Sequence, residues 1–248
     1  MNDSHLFKRT IVRHEVPSRI LPEGSRDIRI YLPPGYQELL SYPVVYCQDG
    51  QDFFQFGRIA TIAQKLILDD GWEPFVVVGV DVDKKIRTSE YMAGGERNDA
   101  YVRFFAEEML PFVESNVSVR RTPDERVLAG DSLGGAVSLS LALRYPQLFA
   151  RVLSFSGAYY AGSVAEIVNN DKLDGLAVWM TVGLQETAFE SDTGTFDFVA
   201  LNREASRLLR DRGAYVDYRE KDGEHKWGFW QAELPEALAA FVGPNAHM

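Results

Sequence analysis

The stretch Val127-Leu128-Ala129-Gly130-Asp131-Ser132-Leu133-Gly134-Gly135 decides how this chain is read. An apolar run ends in a Gly-x-Ser-x-Gly turn. A helical pattern starts at once, with Ala136, Leu139 and Leu143 on one face and Tyr145-Pro146 as the stop. Strand, sharp turn and helix form the setting in which this pattern marks a nucleophile elbow. The turn forces Ser132 into a strained backbone conformation that presents its hydroxyl above the sheet edge. Gly130 and Gly134 fall where strand and helix nearly touch, and Gly135 lets the helix lie close to the sheet. The five-residue pattern alone is weak because glycine and serine are common; its flanking strand and helix give it weight.

The 248 residues are 46% apolar, enough for a large core. Chains of α/β type at this length are commonly one unit, so a single domain over residues 1–248 is expected. A net charge of −10 argues against nucleic acid or an anionic membrane as partner, since both call for a basic patch. Cys47 is the only cysteine, which excludes an internal disulfide and a thiolate metal cluster; its apolar neighbours place it in the core. Met1 to Glu15 has no apolar leader segment and nothing approaches a membrane span. A soluble, cytoplasmic protein without membrane attachment is the expectation.

Thr10 to Leu21 and Arg26 to Leu32 alternate as an antiparallel pair of strands around the turn Pro22-Glu23-Gly24-Ser25. Val44-Val45-Tyr46-Cys47 reads as a strand buried on both faces, ending in the tight loop Gln48-Asp49-Gly50-Gln51-Asp52. Ile59 to Leu68 is helical, and Phe75 to Asp81 is the strongest buried strand. The polar stretch Val82 to Asn98 is too long for a simple connection. Tyr101 to Val113 is an amphipathic helix. After the elbow come a strand at Val152 to Gly157, a short helix at Val164 to Val168, a strand at Leu176 to Val182 and a long loop from Gly183 to Thr195. A helix at Phe198 to Leu209, a strand at Tyr215 to Glu220, a polar loop from Lys221 to Lys226 and a helix at Phe229 to Phe241 close the chain. Strands and helices alternate from Val44 onward, which predicts a mostly parallel sheet covered on both faces.

A serine hydroxyl needs a neighbouring base, usually a histidine oriented by a carboxylate. On a fold with this elbow the partners follow the serine in the order acid, then histidine. His5 and His14 precede the elbow and His247 is in the tail, so His225, in the loop after the last strand, is the expected base. The acid belongs in the loop after Leu176 to Val182. Glu186 is nearest the strand end, which favours it; Asp192 is the runner-up, and Glu190 and Asp197 stay open. Any of the four could instead be a solvated carboxylate or a helix N-cap near Thr195. The oxyanion of a tetrahedral intermediate calls for two backbone N–H groups already in place. Leu133, after the nucleophile, supplies one; Gln51, with Gly50 allowing the turn, supplies the other.

These motifs together resemble the putative-esterase family of the α/β-hydrolases, which includes esterase D, feruloyl esterases, enterochelin esterases and bacterial mycolyltransferases. Arg29-Ile30-Tyr31-Leu32-Pro33-Pro34-Gly35-Tyr36 is similar to its opening strand and Pro-Gly-Tyr turn. Tyr42 to Gln51 resembles its oxyanion strand, Arg87 to Tyr91 and Phe104 to Glu114 its Arg-rich loop and following helix, and Gly223 to Trp230 its Gly-x-His-x-x-x-x-Trp ending. Gly183-x-x-Glu186 falls where many members carry the acid. The resemblance implies an α/β-hydrolase fold with a mostly parallel eight-stranded sheet flanked by helices. No insertion long enough for a large cap domain follows Val152 to Ser156. One departure stands out: members usually carry a small residue or histidine before the serine, where this chain has Asp131. That carboxylate either alters substrate charge preference or points away.

The function expected is a serine carboxylic-ester hydrolase working through an acyl-enzyme, with no cofactor and no metal. Its partner is a small-molecule ester: short-chain acyl, feruloyl-type or a siderophore lactone. Acyl transfer to an alcohol and a non-catalytic binding role are the alternatives, and a homodimer is left open. Phe53, Phe54, Tyr159, Tyr160, Trp227, Phe229 and Trp230 are expected near the rim of the pocket. Arg87 and Arg97 read as solvated surface charge, with reception of an anionic group as the alternative.

Overall fold

The computed structural model describes residues 9–191, 194–244 and 246. Its first part runs β1 (Thr10–Pro17), β2 (Ser25–Leu32), β3 (Val44–Cys47), α1 (Gly50–Gln55), α2 (Ile59–Leu68), β4 (Val76–Val80), α3 (Arg87–Tyr91), α4 (Asn98–Phe104) and α5 (Leu110–Asn116). Then follow β5 (Arg126–Asp131), α6 (Leu133–Arg144), β6 (Arg151–Phe155), α7 (Ala161–Val168), β7 (Ala177–Gly183), β8 (Phe189–Ser191), β9 (Gly194–Phe196), α8 (Phe198–Arg210), β10 (Tyr215–Lys221) and α9 (Trp227–Val242). Among the described residues, eight strands form one sheet in the order β1-β2-β4-β3-β5-β6-β7-β10. β1 and β2 are antiparallel to their neighbours, and the remaining pairs are parallel. This is the α/β-hydrolase architecture that the family resemblance implies, built on the mostly parallel sheet that the alternation of strands and helices predicts.

Side-chain alternation along the central strands builds two core layers. Val44 and Tyr46 of β3, Val76, Val78 and Val80 of β4, and Leu128 of β5 pack with α4, α5 and α6 on one face. Val45, Cys47, Val77, Val127 and Ala129 pack with α2 and α9 on the other. A continuous apolar run is what a strand covered on both sides requires. Chain order and sheet order part company at β3: the chain passes outward to β4, then crosses back to β5. Loops leaving the carboxyl ends of β3 and β5 therefore diverge, and a crevice opens between them.

Several boundaries differ from the sequence-based expectation. β1 stops at Pro17 because Ser18 starts a turn, its hydroxyl accepting from the N–H groups of Ile20 and Leu21. The expected loop at Gln48 to Asp52 is already the start of α1, and the polar stretch from Val82 holds α3. The helix expected from Tyr101 to Val113 runs from Asn98 to Asn116, with a π-helical turn at Phe105–Met109 ahead of Pro111. Proline lacks the N–H that an α-helical bond needs, and a wider turn just before it absorbs the defect. The long loop after β7 contains a 3-10 turn (Glu186–Ala188) and the β8–β9 hairpin.

Gly50 is required for a reason other than turn conformation. A Cβ there would lie 2.4 Å from the carbonyl carbon of Gly79 in β4, so α1 leaves the sheet with backbone against backbone. Gly50→Ala should therefore cost about 2–3 kcal/mol in urea unfolding, as an overpacked core does. Gly228→Ala, whose Cβ would meet nothing within 4 Å, should stay within about 0.5 kcal/mol of wild type.

Candidate active site

The elbow has the predicted geometry. Ser132 joins β5 to α6 at φ 54°, ψ −122°, a region that side-chain-bearing residues rarely enter. Its N–H donates to the Phe155 carbonyl at 2.9 Å, and its own carbonyl accepts from Ala158 N at 2.9 Å and Gly135 N at 3.1 Å. A Cβ on Gly130 would lie 2.1 Å from the Gly134 carbonyl carbon. Strand and helix thus touch through their backbones, which leaves the serine on the outer side of the turn.

The structure brings Ser132, His225 and Glu186 together from the carboxyl ends of β5, β10 and β7. His225 Nε2 lies 3.0 Å from Ser132 Oγ, and its Nδ1 lies 2.6 Å from Glu186 Oε2. The Glu186 side chain is fully buried and that of His225 is 7% exposed. The other carboxylate oxygen, Oε1, accepts from Ser156 Oγ at 2.7 Å and from Gly183 N at 2.8 Å. Trp230 Nε1 in turn donates to Ser156 Oγ at 2.9 Å. A carboxylate can only accept, so the proton on the imidazole belongs on Nδ1, which leaves the Nε2 lone pair facing the serine hydroxyl. Backbone bonds from Leu184 N to Lys221 O (2.8 Å) and from Gln185 N to Gly223 O (3.1 Å) tie the acid's turn to the histidine's loop.

The other candidate acids are elsewhere. Glu190 is exposed on β8, and Asp197 caps α8, its carboxylate accepting from Ala200 N at 2.9 Å. Asp192 lies outside the described residues. His14 sits on β1 at the far edge of the sheet, its ring against Phe112.

Leu133 and Gln51 occupy the first turns of α6 and α1, where leading N–H groups have no partner within the helix. Leu133 lines the cavity beside Ser132, whereas Gln51 is not among the lining residues. The Gln51 side chain has a job of its own: its amide pairs with the Val82 backbone, donating to the carbonyl at 2.9 Å and accepting from N–H at 3.1 Å. Asp49, just before it, adopts a left-handed conformation at φ 49°. Its carboxylate receives Arg87 Nε and Nη2, both at 2.7 Å, and Lys84 Nζ at 3.2 Å.

Arg87 is therefore not solvated surface charge: it links the β3 loop to the elbow strand, and it also lines the cavity beside Ser132. Its Nη2 also lies 3.4 Å from the Asp131 carbonyl and 4.0 Å from the Asp131 carboxylate. Arg97 is likewise paired, with Glu23 and Glu90. Asp131 turns inward; it is 6% exposed, and its Oδ1 has no hydrogen-bond partner among the described residues. Burial pushes its carboxyl up from 3.8 to about 7, the Asp49 charge adds to that push, and Arg87 and Lys84 oppose it.

The cavity above Ser132 measures about 560 Å³. Of the seven aromatics expected at its rim only Tyr160 lines it; Phe53 and Tyr159 are fully buried core. Its aromatic wall is instead Tyr160 with Phe189, Phe196 and Phe198, and Met92 also lines it. The Phe196-x-Phe198 spacing and the nearby Phe189 were the available signal, three phenylalanines in a stretch otherwise polar. Ser156, the link between Trp230 and Glu186, carried no signal in the sequence. Among the described residues, no group of three or more His, Cys, Asp or Glu could hold a metal ion. None of the described helices is long and apolar enough to cross a membrane.

The chain is similar to known proteins in family and in fold. The family described as putative esterase matches residues 18–241. An uncharacterized Bacillus subtilis protein, YjcH, is 35% identical over 212 residues, covering 84% of this chain and 88% of its own. The iron(III) enterobactin esterase of Escherichia coli K12 is 24% identical over 216 residues, 83% of this chain and 51% of that one, so the chain spans about half its length. A ferulic acid esterase of known structure superposes with a TM-score of 0.79 at 20% identity, covering 95% of this chain and 98% of that chain; the likeness is one of fold.

The inward carboxyl of Asp131 makes stability depend on pH. A carboxyl whose value rises on folding binds its proton more tightly in the folded state, so stability falls as pH climbs from 3.8 through about 7. Asp131→Asn removes that ionisation. Its unfolding free energy relative to wild type should rise across this window by about 2–4 kcal/mol and level off above it, as measured by urea titration at a series of pH values.

Proposed function

The chain belongs to the putative-esterase family and is a carboxylesterase, and we propose that it works through a Ser132–His225–Glu186 triad and an acyl-enzyme. The observation that carries this reading is the unbroken relay from the buried Glu186 carboxylate through His225 to the Ser132 hydroxyl, at 2.6 and 3.0 Å. His225 Nε2 takes the serine proton as Oγ bonds to the ester carbonyl carbon, and the carbonyl electrons move onto oxygen. The Leu133 N–H, at the positive end of α6, receives that oxyanion, with the Gln51 N–H of α1 as the second donor. The carbonyl reforms as the C–O bond to the alcohol breaks, and the His225 proton leaves on the alcohol oxygen. Water then repeats the sequence: His225 takes its proton, the acid is released and Ser132 recovers its hydrogen. Glu186 keeps its charge throughout, orienting the imidazole and offsetting the imidazolium that forms in each half-reaction.

The substrate we propose is a small ester with an aromatic group on one side of the scissile bond. Tyr160, Phe189, Phe196 and Phe198 support this, since ring faces around a concave site favour a flat apolar guest. The names of two relatives, an enterobactin esterase and a ferulic acid esterase, point the same way.

Initial rates on p-nitrophenyl esters from acetate to decanoate and on methyl ferulate test the proposal. Ser132→Ala should lose at least about 10³-fold in kcat, and Glu186→Gln about 10²–10⁴-fold with KM little changed. Retention of wild-type turnover by Ser132→Ala would overturn the mechanism. A preference for long aliphatic chains over ferulate would overturn the substrate class.

A further inference from the structure

Three aromatic rings surround the imidazole of His225. The Phe189 centroid lies 4.3 Å from it at 46°, Phe198 at 4.2 Å and 45°, and Trp230 at 4.9 Å and 86°. The two phenylalanine centroids are 5.5 Å apart, so they meet the imidazole as two walls of a corner. The rings come from β8, from the first residue of α8, and from α9. Trp230 is held by its bond to Ser156. Phe189 and Phe198 also face the cavity.

The charges around this ring are few. Glu186 holds Nδ1. Arg87 lines the same cavity, with its guanidinium held by Asp49. Glu224 and Lys226, on either side of His225 in the chain, pair with each other at 2.7 Å. When Nε2 takes the serine proton, the ring therefore becomes a cation balanced by one carboxylate and shielded from water by hydrocarbon. Aliphatic walls would only desolvate that cation and oppose its formation. Aromatic walls differ, because the negative face of a ring attracts a cation within about 6 Å of its centroid.

We infer that Phe189 and Phe198 are positioning residues that stabilise the His225 imidazolium as Ser132 attacks, with Trp230 fixing the third side. The inference rests on His225 being the base. It also gives the β8–β9 hairpin a second role, since the strand that walls the cavity places Phe189 on the imidazole.

Phe189→Leu and Phe198→Leu test this, because leucine keeps the apolar bulk and removes the ring face; Phe189→Tyr keeps the face. The readouts are kcat and KM across pH on the ester turned over by wild type. The pH midpoint of the His225 imidazole resonances is followed by NMR on the resting proteins, with His225→Asn used only for assignment. Each leucine variant should lose roughly three- to tenfold in plateau kcat. The acid limb of kcat/KM and the NMR midpoint should both move to lower pH by about half a unit to one unit. Phe189→Tyr should keep the wild-type values. A lost wall contact would raise KM and leave both pH readouts in place, and that result would overturn the inference. If wild type shows no Ser132-dependent turnover, the base assignment fails, and the NMR midpoints alone decide whether the rings act on the imidazole.

Discussion

Ser132 is held in a backbone conformation that costs on the order of 1–3 kcal/mol, and the site depends on its staying there. Relaxing it to an ordinary strand geometry would break the bonds its peptide groups make to Phe155, Ala158 and Gly135, and would swing Oγ away from His225. The strain persists because β5 and α6 are pressed together at Gly130 and Gly134, with no slack for the chain to take another path. The elbow is thus over-determined by the sheet beneath it. The same contact sets Leu133 at the start of α6, where its N–H is free of helical bonding.

Around the elbow, residues from four other strand ends are bound crosswise. Arg87, after β4, joins the Asp49 carboxylate after β3 to the elbow strand at Asp131. Ser156, after β6, joins Trp230 of α9 to Glu186 after β7. These links explain why polar groups are buried at a place where burial is costly: each removes a degree of freedom from a loop that carries a functional atom. The cost shows at Asp131, whose carboxyl shares one guanidinium with Asp49 and has one oxygen without a hydrogen-bond partner among the described residues. The cavity wall has a different construction. Phe189 and Phe196 come from a two-stranded hairpin outside the main sheet, and Phe189 reaches from there to the His225 ring.

Much of this was legible from residue pattern alone. β3 and β4 announce themselves as unbroken apolar runs, because strands covered on both faces have no polar positions. The elbow is readable because one short segment holds the strand end, the strained turn and the helix start. Glu186 is favoured over Asp192, Glu190 and Asp197 by its place nearest the strand end, and His225 by its loop after the last strand; the structure brings both beside Ser132. The aromatic wall was misplaced for a physical reason: Phe53 and Tyr159 are as aromatic as Phe189 and Phe198, and only sheet twist and loop path decide which rings reach the cavity. Arg87 read as surface charge because its partner Asp49 lies 38 residues away in the chain. Gly50 read as a turn residue, and its close approach to Gly79 appears only when the strands are side by side.

We propose that Ser132 is activated by His225 under the control of Glu186. Labelling with a fluorophosphonate, followed by intact mass and peptide mapping, tests it independently of the natural ester. One equivalent should attach to Ser132 in wild type. Glu186→Gln should slow labelling by roughly 10²-fold or more, while Glu190→Gln should label at the wild-type rate. Attachment at another residue, or slowing by Glu190→Gln with none by Glu186→Gln, would contradict the account.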